Sequence, residues 1–290
     1  MSAHGKNIMN NIDRLIRQAF EEDLDKLGDI TTLALFDESK AGQGSFICKT
    51  KGILSGLEVA KRCFYLYDKS VVFKALKTDG DLACEGEPIA QIKGQIRSLL
   101  AVERVALNFL SHLSGIATLT KAFVEEIEGT ECRLKDTRKT TPGLRELEKM
   151  AVKHGQGTNH RHGLYDGVLI KDNHLAVLSI GQSIGLAKEK YPKHKVEVEV
   201  ETLEQAKEAL AAGADILLLD NMDIAGIQEA VKINKSKVGA RHAVPLLEAS
   251  GGITLKNARK IAQTGIDYIS SGAITMAAPP LDISFELSAK

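Results

Sequence analysis

The sequence predicts an α/β protein: an incomplete TIM-like α/β barrel preceded by an N-terminal α+β sandwich domain. Three observations predict it. From about residue 130, short β-rich runs alternate with helical stretches, the rhythm of βαβ units on a parallel sheet. Part of that rhythm repeats: Thr202-Leu203, Ala206, Gly213 and Asp215 recur as Thr254-Leu255, Ala258, Gly265 and Asp267 at one constant offset of roughly two βα units. Such repetition favours a closed barrel over an open sheet. Nearly every β-rich run also ends in polar residues, as the catalytic rim of a barrel does.

Residues 1–112 form the first predicted domain and 113–275 the barrel. Ile12, Leu15, Ile16 and Phe20 fall at helical spacing and predict a first helix. The stretches 44–49 and 71–76 alternate like strands, and 79–89 carries turn signals on both sides, so a small sheet packs on helices here. A long helix is predicted over 98–120, with Leu99, Val102, Leu107, Leu110 and Leu113 on its apolar side. Arg104 lies on that helix and by itself reads as a solvated or ion-paired side chain. The barrel strands are predicted at 132–137, 167–172, 195–200, 215–220, 245–250 and 267–271, six in all, hence an incomplete barrel. In each repeat copy Thr N-caps the helix, Gly ends it in the left-handed conformation, and Asp opens the next strand.

Composition narrows the function. The 38 Lys and Arg balance the 38 Asp and Glu of the 290-residue chain, so no global field points to nucleic acid or a membrane surface. Cys48, Cys63, Cys84 and Cys132 are scattered, which fits small buried thiols in a reduced cytoplasmic chain better than a disulfide framework or zinc site. The N-terminal stretch is amphipathic without an apolar h-region, and no apolar run reaches membrane-spanning length on this reading.

The chemistry gathers at the predicted strand ends. Arg138, Lys139, His160, Arg161, His162, Lys171 and His174 form a cationic cluster in an otherwise neutral protein. Arg grips carboxylate or phosphate through paired hydrogen bonds and Lys adds a point charge, so converging cations suit a dianionic ligand. Gly155, Gly157 and Gly163 would let a loop approach it closely. A metal held by His160 and His162 is disfavoured by so many neighbouring cations. Glu199 and Asp220 end adjacent strands; they read either as ion-pair partners of Lys171 or as carboxylates for Mg2+. The repeat offset sets Glu199 against Gly251 and Asp220 against Gly272. Ser250-Gly251-Gly252, before the helix capped by Thr254, together with Ser271-Gly272, reads as a phosphate cradle of backbone N–H groups or as plain tight turns.

Asp136-Thr137-Arg138-Lys139-Thr140-Thr141-Pro142-Gly143-Leu144-Arg145 resembles the signature of the quinolinate phosphoribosyltransferases, the decarboxylating nicotinate-nucleotide pyrophosphorylases. The resemblance runs along essentially the whole chain, through Gly28-Asp29-Ile30-Thr31-Thr32, Glu103-Arg104, Gly163-Leu164-Tyr165-Asp166, Lys171-Asp172-Asn173-His174, Glu197-Val198-Glu199-Val200, Leu219-Asp220-Asn221, Ser250-Gly251-Gly252-Ile253 and Ser271-Gly272-Ala273. It implies transfer of phosphoribose from phosphoribosyl pyrophosphate to quinolinate with decarboxylation, giving nicotinate mononucleotide, CO2 and pyrophosphate in de novo NAD biosynthesis. It further implies Arg138, His160, Arg161 and Lys171 around the quinolinate carboxylates. Arg104 joins them from the neighbouring subunit of a homodimer, and assembly of dimers into hexamers stays open. Lys139, Glu199 and Asp220 match the positions holding phosphoribosyl pyrophosphate and its Mg2+, and Ser250, Gly251, Gly252, Ser271 and Gly272 those of the 5′-phosphate cradle. The resemblance also implies that the C-terminal segment 276–290 completes the first domain. Met276 departs from the family's usual His. Three rivals compete with this reading: a related transferase with another acceptor, a Schiff-base aldolase built on Lys171, and a dicarboxylate sensor without turnover.

Overall fold

Four phenylalanines, Phe46, Phe64 and Phe73 from the first part of the chain and Phe285 from near its end, form one cluster. In the computed structural model, which describes residues 3–236 and 244–288 (side chains from residue 9), Phe46 stacks against Phe64, Phe73 and Phe285 at ring-centroid distances of 6.1, 6.1 and 5.7 Å. Phe46 and Phe64 are fully buried; each such ring stabilises by roughly 1.5–3 kcal/mol through area alone. Phe46 lies on β1 (Ala41–Cys48), where Gly44, Phe46 and Cys48 face inward by the two-residue alternation of a strand. A short β2 (Gly52–Ile53) pairs with β4 (Leu82–Ala83), while β3 (Val72–Ala75) and β5 (Pro88–Gln95) join β1. The C-terminal strand Ile283–Ser288 closes the other edge, giving a four-stranded antiparallel sheet in the order C-terminal strand, β1, β5, β3.

The long predicted helix spans Ile96–Glu126, with Leu99, Val102, Leu107, Leu110 and Leu113 all buried. It is long and apolar enough to cross a membrane, which corrects the reading that no segment reaches that length; 61% of its most apolar window is buried within the protein, as in a core helix. By its contacts the chain forms two units, residues 1–119 with 141–156 and 278–290, and residues 120–140 with 157–277. The helix Arg145–His154 packs in the first unit, where the buried Glu148 accepts from the Thr141 amide at 3.1 Å and meets His112 Nε2 at 2.9 Å. The four cysteines are free. Burial pushes the thiols of Cys63 and Cys132 up to about 12. Cys84, expected to be buried, is exposed, because it opens the turn closed by its amide on Glu87.

The second unit carries the six expected strands: β6 (Arg133–Lys135), β7 (Val168–Ile170), β8 (Val196–Val200), β9 (Ile216–Asp220), β10 (Leu246–Ser250) and β11 (Tyr268–Ser270). They run parallel in the order β6-β11-β10-β9-β8-β7. A parallel bridge between Lys135 and Thr158 adds the segment before β7 to the free edge of β6. On β8, Val196, Val198 and Val200 are buried on the outer, helix-facing side, so Glu197 and Glu199 point to the barrel interior.

The repeat holds with one adjustment. Thr202 caps Leu203–Ala212 in a capping box with Gln205, and Gly213 ends that helix at φ 94°. Thr254 opens Leu255–Ala262 with its amide on Asn257 at 2.8 Å. That helix stops at Gln263, so Gly265, at φ 86°, turns the loop beyond it rather than capping it. The two aspartates do the same work: Asp215 accepts from the Val196 amide at 2.8 Å and Asp267 from the Leu247 amide at 2.7 Å, each pinning the preceding strand.

Candidate active site

Residues at the C-terminal ends of the parallel strands line a cleft of about 820 Å3 in the barrel unit. Lining it are the predicted Arg138, Lys139, His160, Arg161, Lys171, Glu199, Asp220, Ser250, Gly251, Gly252, Ser271 and Gly272, with Met276 at the rim. Strand register explains the gathering. Leu169 pairs with Glu197 on β8, Glu199 with Leu218 on β9, and Ser250 with Asp220, so inward residues of successive strands form layers. Arg104 belongs to the first unit, exposed on its long helix.

The cationic wall is partly tethered. Lys171 is 2.5 Å from Glu199, and these two side chains form an ion pair. Arg161 donates from Nη1 to the Gly167 carbonyl at 2.9 Å. Burial, and then the charge of Arg138, hold its guanidinium below the usual range for arginine. Lys139 is exposed, yet its backbone is fixed on both sides: its amide donates to Thr137 Oγ1 at 3.0 Å and its carbonyl accepts from Thr275 Oγ1 at 2.6 Å.

The histidines are met by nearby backbone amides. His160 Nδ1 accepts the Arg161 amide at 2.7 Å, and His174 Nδ1 accepts the Lys171 amide at 2.9 Å. His162 is placed by its amide on Asp166 at 2.8 Å and does not line the cleft.

The glycine rim is shaped by close approach. Gly251 has φ 89°, and a Cβ there would sit 2.2 Å from Asn221 Oδ1 and 3.0 Å from the Asn221 backbone nitrogen. Asn221 is itself left-handed at φ 53°, with its amide on the Ser250 carbonyl at 2.9 Å and its side chain on Asp220 at 2.8 Å. Ser271 Oγ donates to the Ile253 carbonyl at 3.0 Å, joining the two glycine loops. Thr254 lines the cleft at the start of the helix Leu255–Ala262, where backbone N–H groups favour an anion.

Beneath this rim lies a polar floor. Glu248 is fully buried, takes Lys135 at 2.5 Å, and stands 3.8 Å from His160 Nε2, while Glu197 Oε2 lies 3.1 Å from the same nitrogen. Burial pushes the Glu248 carboxyl above its ordinary range, and the nearby Glu197 adds to that. Sequence reasoning gave Glu197, Lys135, Thr137 and Asn221 no role of their own. The signal for Glu197 was there: it is in phase with Glu199 on a strand whose other residues are all valine.

A parallel barrel whose mouth sets guanidinium and ammonium groups against two carboxylates and a glycine-lined helix start defines a transferase-type site for a phosphorylated, multiply anionic substrate. Residues 29–114 match the family model described as quinolinate phosphoribosyl transferase, N-terminal domain, and residues 116–286 that of the C-terminal domain. The chain belongs to the quinolinate phosphoribosyl transferase family. It is 40% identical over 284 residues, 97% of this chain and 95% of the relative, to the probable nicotinate-nucleotide pyrophosphorylase [carboxylating] of Bacillus subtilis. With the nicotinate-nucleotide pyrophosphorylase [carboxylating] of Mycobacterium leprae it shares 39% identity, covering 94% of this chain and 95% of that one. Among solved structures, the nicotinate-nucleotide pyrophosphorylase from Francisella tularensis superposes with a TM-score of 0.90 at 37% identity, covering 96% of each chain. NadC from Streptococcus pyogenes gives 0.89 at 42%, again with 96% of each chain covered.

Proposed function

We propose that the protein transfers phosphoribose from phosphoribosyl pyrophosphate to the ring nitrogen of quinolinate and releases CO2, giving nicotinate mononucleotide and pyrophosphate in de novo NAD biosynthesis. The observation that carries this is that one cleft is lined both by Arg138, Arg161 and Lys171 and by the Gly251–Gly252 and Gly272 loops. A pyridine dicarboxylate needs the first and a 5′-phosphate the second.

Catalysis on this reading is positioning plus charge stabilisation. Arg138 and Arg161 orient the two carboxylates so that the ring nitrogen faces the anomeric carbon of the ribose. The nitrogen's lone pair forms the new C–N bond as the bond to pyrophosphate breaks, and the electron pair leaves with pyrophosphate, whose charge Lys139 offsets. Glu199 and Asp220 flank the ribose and offset oxocarbenium character at the carbon under attack. Quaternisation leaves a positive ring nitrogen beside C2. The C2–carboxylate bond then breaks, CO2 departs, and the pair left at C2 takes a proton. The cations hold rather than expel the 2-carboxylate, so the pyridinium charge drives its loss.

Glu199 and Asp220 offer hard oxygen donors without thiolate or imidazole, a set that fits Mg2+. When bound, Mg2+ would supply charge neutralisation of the diphosphate. The active unit of this reading is a homodimer, with Arg104 of the partner subunit completing the dicarboxylate wall. The exposure of Arg104 on its own helix supports this.

The test is an assay with quinolinate, phosphoribosyl pyrophosphate and Mg2+, followed for nicotinate mononucleotide. Nucleotide from quinolinate and none from nicotinate is the expected result. Turnover of nicotinate, or of neither acid by folded protein, would move the assignment to a transferase with another acceptor.

A further inference from the structure

We propose that Asp166 is a positioning residue for Arg161: the two side chains close the loop 161–167 from opposite ends and fix the guanidinium at the cleft before a ligand arrives. What the fixed guanidinium then grips rests on the quinolinate reading; the clasp does not.

The loop hangs between two fixed stems. On one side Thr158 is bridged to Lys135 of β6, and the His160 amide donates to the buried Asp136 Oδ1 at 2.7 Å. On the other side Val168 opens β7 and pairs with Val196 of β8. Between the stems the chain turns through Leu164 and Tyr165, both largely exposed. Apolar burial does not shape this tip, so polar contacts have to.

Asp166 supplies them. Its Oδ2 takes the His162 amide at 2.8 Å and its Oδ1 the Gly163 amide at 2.9 Å. Two successive N–H groups thus converge on one carboxylate, as they do on a bound anion. Burial acts to raise this carboxyl, but the amides of Gly163 and His162 outweigh it and hold the group below its ordinary range. Arg161 closes the same loop in the reverse sense, its Nη1 donating to the Gly167 carbonyl at 2.9 Å. Each end of the loop therefore sends a side chain to the backbone of the other. Two glycines permit the closure. A Cβ on Gly163 would sit 2.4 Å from Tyr165 Cε1, and one on Gly167 would sit 3.4 Å from Arg161 Cβ.

The consequence falls on Arg161, which lines the cleft. Burial, and then the charge of Arg138, act against its guanidinium, so an untethered side chain would swing out toward water. The tether spends one of the five guanidinium N–H donors and leaves the others for an anion. A side chain already fixed also gives up less rotamer freedom when it binds.

A turn former with no effect on Arg161 is the competing role, and nitrogen-15 NMR of the arginine-labelled free protein separates the two. Arg161 is assigned by the loss of its guanidinium signal in Arg161→Lys. The expected result is hindered rotation of the Arg161 guanidinium in the native protein and free rotation in Asp166→Ala. Asp166→Asn falls between them, because its one carboxamide oxygen keeps only one of the two amides. An Arg161 that is mobile in the native protein, or stays hindered in Asp166→Ala, overturns the proposal. Kinetics give a second readout. Asp166→Ala raises the KM for quinolinate about ten-fold with kcat changed less, and Asp166→Asn raises it about three-fold. An unchanged KM in Asp166→Ala, or a loss confined to kcat, would reduce Asp166 to a turn former. Thermal melts check that both variants fold, and Asp166→Asn carries the comparison if Asp166→Ala does not. Should quinolinate not bind the native protein, the functional reading fails, while the Arg161 signal of the free protein still decides the clasp.

Discussion

The two halves of the barrel mouth share a sequence repeat and differ in the chemistry at the strand ends. At the ends of β8 and β9 stand Glu199 and Asp220; at the matching repeat positions, just past β10 and β11, stand Gly251 and Gly272. Around those positions the scaffold is conserved between halves down to single hydrogen bonds. Thr202 and Thr254 open the helices, and Asp215 and Asp267 each hold the amide of the strand before them. One supersecondary unit is thus used twice, once to present oxygen donors and once to expose bare backbone N–H groups. Sites differ here by what ends the strand, and the element that carries the site stays the same.

Breaking each half in turn gives the largest effects. Asp220→Asn removes a carboxylate from the first half and lowers kcat/KM by about 10²–10³, the scale of a lost charge-stabilising group; steady-state kinetics at saturating Mg2+ measure it, and an unchanged kcat/KM would remove Asp220 from the reaction. Gly251→Ala damages the second half by a different route. Its Cβ would meet Asn221 within 2.2 Å at a left-handed backbone, so stability falls by about 1–3 kcal/mol and the KM for phosphoribosyl pyrophosphate rises. Denaturant melts and initial rates separate the two losses.

Smaller effects test whether the scaffold is truly shared. Asp215→Asn and Asp267→Asn leave a strand amide with a weakened partner, and each costs about 1–2 kcal/mol, equally in the two halves and without change in substrate affinity. Thr202→Ala costs about 1 kcal/mol as a lost cap with the KM for phosphoribosyl pyrophosphate unchanged. Thr254→Ala, at the cleft, raises that KM a few-fold. If both threonines behave alike, the second half is not a phosphate site.

Much of this was legible in the sequence because strand ends and repeat positions are local signals. The six barrel strands, the threonine caps and the arginine, lysine, carboxylate and glycine positions of the mouth all follow from spacing and residue type. What depended on tertiary contacts was not legible. Nothing local says that His160 Nε2 lies beside Glu197, since the two meet only once β8 lies near the segment before β7. Cys84 looks like its three buried fellows in composition, and only the turn it opens exposes it. Glu197 was hidden in plain sight: alternation points it inward, but a charged side chain at mid-strand has meaning only when Lys135, Glu248 and His160 are seen around it.

On the proposed mechanism, N-glycosylation comes first and the pyridinium nitrogen it creates expels the 2-carboxylate. The direct measurement uses quinolinate labelled in that carboxylate and counts labelled CO2 against nicotinate mononucleotide, with and without phosphoribosyl pyrophosphate. The expected result is one labelled CO2 for each nucleotide and none when phosphoribosyl pyrophosphate is omitted. Labelled CO2 released without phosphoribosyl pyrophosphate, or a nucleotide that keeps the label, would contradict it.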